Sequence, residues 1–519
     1  MALRTGLTRS KTVEQALASA EEPERRLRRT LSAWDLTVFG VAVVIGAGIF
    51  SVSASTAGKY AGPSVTVSFL IAAVACGFSA LCYAEFASTV PVAGSAYSFS
   101  YATFGELFAW IVGWDLLLEL AFAAGVVAKA WSSYLAGALH LSAIKTRVDL
   151  WQDDKGWYSV IHYVDIDWGA ILIIGAVTVA LAFGVKLSAR VSGVITVIKV
   201  SVVLFVIIAG AFYVKLSNYT PFIPPAQPKP GPEDTLSSSL FAVLTGGGGT
   251  QYGWYGLLAG ASVVFFAFIG FDVVATTAEE VKNPAKDLPR GIIGSLAICT
   301  VLYLATSLVT TGMASYVDLR PDAPGAKHSP NLATAFELHG ADWAAKLISF
   351  GALAGLTTVV LVLLLGAVRL TFAMSRDGLF PRAWSKTTER GVPVRLTVGA
   401  GVGAMVVACL SLDKLEELVN VGTLFAFVLV AAGVIVLRRT QPGLKRGFTV
   451  PAMPWVPIAA IASCLWLMLN LSVLTWVGFT VWLVIGLLIY ALYGYRHSVL
   501  GKSAEPVGAA IGAGEPESE

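Results

Sequence analysis

Charge is scarce in this sequence. Asp, Glu, Lys and Arg make up 13% of its 519 residues, against 56% hydrophobic residues and a mean hydropathy of +0.73. Too little polar side chain is available to cover a soluble particle of this length, which excludes a water-soluble globular protein. Cysteine is equally sparse. Cys76, Cys82, Cys299, Cys409 and Cys464 all lie inside apolar runs and no CxxC occurs, so neither a disulfide framework nor a cysteine metal site is expected. The five histidines are scattered mostly in polar connections. The first thirty residues lack a cleavable signal: Arg25, Arg26, Arg28 and Arg29 stand directly before the first apolar run, with no small-residue cleavage site after a short core. A net charge of +3, with the positive excess beside apolar runs, gives no support for a nucleic-acid partner.

Long apolar runs fill the space that charge leaves. A spanning helix needs about 20 apolar residues, and runs of that kind cover 36–57, 65–86, 102–139, 168–185, 191–215, 258–279, 291–313, 344–374, 396–410, 415–437, 456–474 and 476–493. The expected fold is an all-α polytopic membrane protein of twelve transmembrane helices. Basic residues crowd alternate connections, among them Lys186 and Arg190, then Lys282, Lys286 and Arg290, then Arg376 to Arg395, then Arg438 to Arg446. That bias puts both termini in the cytoplasm. The segment 216–257 is rich in Pro, Ser and Gly and reads as an extracellular loop with a short helix around Leu240 to Leu244. The expected organisation is a cytoplasmic segment 1–30, a first half 31–215, the loop 216–257, a second repeat 258–438, two closing helices within 439–495 and a disordered cytoplasmic tail 496–519.

Two apolar runs carry features a plain spanning helix avoids. In VVIGAGIF, Gly46 and Gly48 lie two apart, the wrong spacing for a small-xxx-small packing face. Each costs about 1 kcal/mol relative to Ala inside a helix, so local unwinding there is cheap. Unwound backbone at membrane depth is tolerated only where it is buried in protein or lines a cavity. The amides of Ala47, Gly48 and Ile49 then suit a carboxylate, and the freed carbonyls of Val44 and Ile45 suit an ammonium. The second such run is VVFFAFIGFDVVATTAEEVKNPAKDLPR, 263–290, with a break expected over 267–270 and an acid, Asp272, deep in the apolar zone. These are the first and sixth of twelve helices. Interrupted helices five apart point to an inverted repeat with a site at its interface. The competing reading is that these glycines merely permit close packing.

IGAGIF, the GWDLLLEL of 113–120, the FFAFIGFDVVATTAEEVKNPAKDLPRGI of 265–292, the FAMSRDGLFP of 372–381 and the VGTLFAFVLVAAGVIVLRR of 421–439 together resemble the amino acid-polyamine-organocation (APC) superfamily. Within it they are most similar to the bacterial branch of the cationic amino acid transporter (CAT) family, over about 31–495. The resemblance implies a LeuT-type fold, a 5+5 inverted repeat with broken helices 1 and 6, alternating access, and a substrate amino acid whose carboxylate and ammonium meet those breaks.

It also implies roles for buried charges. Lys199, well inside the fifth span, resembles a tethered replacement for the sodium ion of sodium-coupled relatives, so no cofactor and no metal are expected, with a proton rather than sodium as coupling ion. Similar transporters pair the glutamate of the third-span motif with this lysine, here Glu119 with Lys199. The trio Glu119, Lys199 and Asp272 is then either a proton network or a static brace between helices. The sixth-helix backbone over Phe266, Ala267 and Ile269 would take the substrate ammonium, with Leu356 facing the substrate side chain from helix eight. Phe266, Ile269 and Phe271 would add an apolar wall, Phe271 being alternatively the outer gate or plain core. An apolar Leu356 and a neutralised Glu119 favour small or medium neutral L-amino acids, the alternative being a cationic uniporter or exchanger. A membrane-embedded transferase would need a catalytic His, Asp or Cys cluster that is absent from the sequence. Expected partners are the amino acid and membrane lipids, with a small accessory membrane subunit unreadable from sequence.

Overall fold

The structure is a computed structural model. It describes residues 29–90, 95–139, 141, 145–149, 163–184, 189–228, 235–246, 250–321, 323, 329–389 and 391–499. The expected N-terminal segment up to 28 and the tail from 500 onward lie outside the described residues.

The helices are α1 Ala33–Val44, α2 Val65–Thr89, α3 Ser95–Thr103, α4 Glu106–Leu139, α5 Trp168–Ala182, α6 Ala189–Ala211, α7 Leu240–Thr245, α8 Gly253–Val264, α9 Pro284–Met313, α10 Leu332–Glu337, α11 Asp342–Arg376, α12 Val394–Val407, α13 Leu412–Thr440, α14 Trp455–Leu469 and α15 Val473–Ile489. Two short antiparallel pairs, β1 Lys145–Asp149 with β2 Tyr163–Asp167 and β3 Gln227–Pro228 with β4 Thr250–Gln251, interrupt an otherwise helical chain. Both lie in connections between apolar helices. The short helix expected near Leu240 is α7, started by the Ser239 hydroxyl accepting the Ala242 amide at 3.1 Å.

Among the described residues, eight stretches are long and apolar enough to cross a membrane, and the chain is a multi-pass membrane protein. Four further apolar helices, α1, α5, α12 and α14, have 12 to 15 residues and fall short of a full crossing by length. The first two expected spans are merged: Gly48–Thr89 runs as one stretch of 42 residues, because the turn at Gly62 (φ 61) passes through a 3-10 turn into α2 without leaving helical bonding. The third expected span is instead divided at Gly105 (φ 94), which separates α3 from α4.

Local signals place the entrance to α1. Ser32 and Asp35 form a reciprocal capping box, with the Ser32 amide donating to Asp35 Oδ2 at 2.9 Å. The Ser32 hydroxyl, and then its amide, hold the Asp35 carboxyl below its usual range. At the centre, α4 lies along α11 and α13, and α2 lies along α9. The closing helix α15 is riveted to α4 by indoles. Trp110 Nε1 donates to the Gly486 carbonyl at 2.9 Å, and Trp114 and Trp482 each donate to the other's carbonyl, at 2.8 and 3.2 Å, with their rings stacked 4.5 Å apart. Every indole N–H in this seam has a partner, as a buried indole requires. Trp110→Ala removes a fully buried ring and its bond, and should lower stability by about 3–5 kcal/mol, read as a fall in the melting temperature of the detergent-purified protein.

Candidate functional site

The first helix stops where the sequence places its glycines. Ile45 donates to Val41 at 3.0 Å and is the last residue to make the helical bond, and its ψ of 90° turns the chain aside. Helical bonding resumes in a segment over 48–61 containing two π turns. Three carbonyls that would accept the amides of residues 46–48 are therefore released, and two have found donors. Lys199 Nζ, from α6, donates to the Ala42 carbonyl at 2.7 Å. Tyr303 OH, from α9, donates to the Val44 carbonyl at 2.7 Å. Beyond the break, Tyr134 OH donates to the Phe50 carbonyl at 2.5 Å and accepts the Leu332 amide at 3.3 Å, so the second half is tied to α4 and α10. The opening amides of that half are those a helix leaves unpaired at its N-terminus, where they suit an anion.

The second break follows α8. Helical bonding tightens to a 3-10 turn over Phe265–Phe268, Ile269 is extended (ψ 134°), Gly270 takes φ 117°, and a 3-10 segment Asp272–Glu280 continues. Asn420 of α13 donates to the Ser262 and Val263 carbonyls at 2.8 and 3.3 Å, just before the α geometry is lost. The unwinding thus covers 269–270, with Ala267 still inside the 3-10 turn, narrower than the expected 267–270. The two interrupted helices lie antiparallel and are tied at both ends: the Thr30, Leu31 and Lys282 amides bond between 30–31 and 280–282, and the Tyr252 amide donates to the Tyr60 carbonyl at 3.1 Å.

They cross in contact. A Cβ on Gly48 would overlap Cα and N of Ala267, and one on Gly270 would lie 2.8 Å from Val43 Cγ1. Gly48 is needed for close approach, and Gly270 also for its positive φ. Beside the crossing lies a cavity of about 30 Å³, lined from the two breaks by Val44, Gly46, Ala47, Gly48, Phe266 and Ile269, and from elsewhere by Glu119, Val127, Val359 and Leu363 among others. That volume admits roughly two water molecules and no amino acid, so loading a substrate requires the walls to part.

Several expected site residues sit elsewhere. Leu356 is fully buried and does not line the cavity; one and two turns further along α11, Val359 and Leu363 do, a rotation of the helix that sequence alone does not fix. Ile45, Ile49 and Ala267 are buried beside the cavity but outside its lining. Phe271 is fully buried, 6.1 Å from the Tyr83 ring and 5.1 Å from the Phe427 ring, within an aromatic cluster, which is the core alternative for this residue.

The expected Glu119–Lys199 pair is not formed. Lys199 runs along α11 where Gly355 offers no side chain (a Cβ there would lie 2.8 Å from Lys199 Cγ) and ends on α1. Glu119 faces the cavity from α4, and its charged neighbours are Asp272 and Asp115. Asp272 is the first residue of the 3-10 segment and does not line the cavity. Glu119 Oε2, Asp272 Oδ1 and both Asp115 oxygens have no protein hydrogen-bond partner among the described residues. Buried carboxyls without a cation must be neutralised by a proton or by a positive group entering the cavity. Tyr303 and Asn420 were not among the expected site residues; their one signal is a phenol and an amide placed inside apolar runs.

Residues 31–493 match the amino acid permease family. The chain belongs to the amino acid permease family. It is 42% identical over 505 residues to the methylthioribose transporter of Bacillus subtilis (strain 168), covering 96% of this chain and all of that one. The branched-chain amino acid permease BcaP of the same organism is equally similar, with the same coverage. The vacuolar cationic amino acid transporter 4 of Arabidopsis thaliana is 37% identical over 442 residues, covering 84% of this chain and 68% of that one. The chain is a transporter and not an enzyme, and the superfamily resemblance of its motifs holds.

For this permease the two glycines of the first break make a contrast. At Gly46 a Cβ would meet Val359 at 3.5 Å, an ordinary contact, whereas at Gly48 it would collide with backbone. Gly46→Ala should fold like the parent, while Gly48→Ala should lose about 1–3 kcal/mol or more through overpacking. Thermal melting followed by size-exclusion chromatography separates the two.

Proposed function

We propose that this chain is a secondary active amino acid transporter that carries small or medium neutral L-amino acids by proton-coupled symport. The proposed architecture is a twelve-span LeuT-type 5+5 inverted repeat with broken helices 1 and 6, working by alternating access in the cell membrane with both termini cytoplasmic. One observation carries the reading: two unwound segments cross beside a small cavity, one offering helix N-terminal amides and the other an extended turn, as a zwitterion's two charges require. The carboxylate binds the amides at 47–49. The ammonium binds near the Phe266 turn; with Val44 already accepting from Tyr303, the first break offers it less than its sequence suggests. Val43, Ala123, Val127, Val273, Val359 and Leu363 supply an apolar wall for the side chain, in keeping with a branched-chain permease among the relatives at 42% identity.

Lys199 acts as a hydrogen-bond donor to helix 1. Its ammonium occupies the carbonyl that the break releases, which supports coupling without sodium. With Lys199 engaged there, Glu119 and Asp272 are the proton-carrying candidates.

A second reading has its own support. Glu119 lines the cavity with no cation beside it, so a substrate with a basic side chain would find a counter-charge there. A competition panel in proteoliposomes decides between them: alanine, leucine and isoleucine should inhibit uptake, and strong inhibition by arginine or lysine with none by alanine or leucine reverses the assignment.

Uptake in sodium-free vesicles should rise when the outside is made acid, and an absolute sodium requirement overturns the role given to Lys199. Lys199→Met strands the buried Ala42 carbonyl, at about 1–3 kcal/mol, and should abolish coupled uptake; unchanged uptake at every pH overturns that role as well. Glu119→Gln should keep substrate exchange across equal concentrations while the pH gradient no longer drives accumulation.

A further inference from the structure

Away from the cavity, at the far end of α2, one carboxylate gathers three hydrogen-bond donors and a second guanidinium. Glu85 is buried. Arg438, at the end of α13, grips it with Nε to Oε1 at 2.8 Å and Nη2 to Oε2 at 2.5 Å. Arg446 Nε stands 3.4 Å from Oε1, and the Val450 amide donates to Oε2 at 2.7 Å. A bidentate guanidinium with further donors is the strong form of an ion pair, and here it fastens a strap. Residues 441–454 leave α13 and turn back across the end of α2. Arg446 also donates to the Leu444 carbonyl at 3.0 Å and the Gln441 carbonyl at 2.9 Å, Arg438 Nη2 donates to the Val450 carbonyl at 3.2 Å, and the Phe448 amide donates to the Ser88 hydroxyl at 3.1 Å. At Gly447 the strap lies so close to Ala285, at the start of α9, that a Cβ would fall 2.6 Å from its Cα. The strap therefore spans the ends of α2, α9 and α13, on the face where α1 enters and the second broken helix leaves, which the proposed orientation makes cytoplasmic.

We propose that Glu85, Arg438 and the 441–454 strap form an inner lock, whose ion pair must open for the cavity to reach the cytoplasm. The inference rests on the alternating-access reading, but its test does not depend on transport. Two observations favour a lock over a passive brace. Three hydrogen bonds, two from Arg438 and one from the Val450 amide, meet on a single carboxylate, so one charge holds both the end of α13 and the strap. The bond also links α2 to α13, the helix that holds α8 through Asn420 and lies against Glu119 at Thr423, so parting the two moves the elements around the cavity.

Cys82 reports the opening. It is one turn from Glu85 and fully buried, while Cys299 is buried on α9 and serves as the marker of general unfolding. The full chain in vesicles is treated with N-ethylmaleimide, and modification of each cysteine is followed by mass spectrometry. Glu85→Gln keeps the shape and removes the charge; Cys82 should react at least about tenfold faster than in the parent, since breaking a buried pair is strongly unfavourable, with Cys299 unchanged. Arg438→Gln should give the same pattern from the other side. The double variant should react no faster than the faster single, because two partners of one contact are not additive. Cys82 remaining as slow as in the parent, Cys82 and Cys299 rising together, or additive rates in the double variant each overturn the lock. Failure of wild-type uptake with Cys82 behaving as expected would instead count against the transport reading alone.

Discussion

Everything near the centre of this protein depends on two interrupted backbones meeting without side chains between them. Gly48 lies directly on Ala267 and Gly270 on Val43. Helices at membrane depth normally satisfy their own polar groups, because lipid offers no alternative partner. A crossing this close replaces that self-sufficiency with an exchange, in which amides and carbonyls released by each break must be satisfied from other helices or by a ligand. The remainder of the bundle is arranged to make that exchange possible.

The released groups are not treated alike. Carbonyls at the end of α1 are capped by Lys199 and Tyr303, and those near the end of α8 by Asn420. The amides opening the second half of the first helix are the groups left for a ligand. The same physics explains the lysine's path. A long aliphatic stem crosses α11 through the space at Gly355 and delivers its charge to a single carbonyl, rather than to the acid that simple charge pairing suggests.

The acids form a separate group. Among the described residues, Glu119, Asp272 and Asp115 share a region without a cation, and Glu119 is open to the cavity. The lysine and the acids therefore sit apart: Lys199 holds a carbonyl of the first break, and Glu119 faces the cavity. A cavity of about 30 Å³ is too small for an amino acid, so its walls must part for one to enter.

The sequence by itself determined the membrane class, the ranges of most helices, both breaks and the three buried charges, because each is a local departure from an apolar run: a pair of glycines, an acid or a lysine where hydrocarbon is expected. It also carried the family, through motifs long enough to be specific. Tertiary structure alone decided which face of each helix meets the cavity and which partner each charge takes. Val359 and Leu363 replaced Leu356 because the rotation of α11 is set by packing against α4, not by its uniformly apolar sequence. Lys199 went to Ala42 instead of Glu119 because a gap at Gly355 gave its stem a route, and such a gap exists only once two helices are side by side. Tyr303 and Asn420 were invisible for the same reason, since a carbonyl's need for a donor appears only after the helix that owned it has been broken.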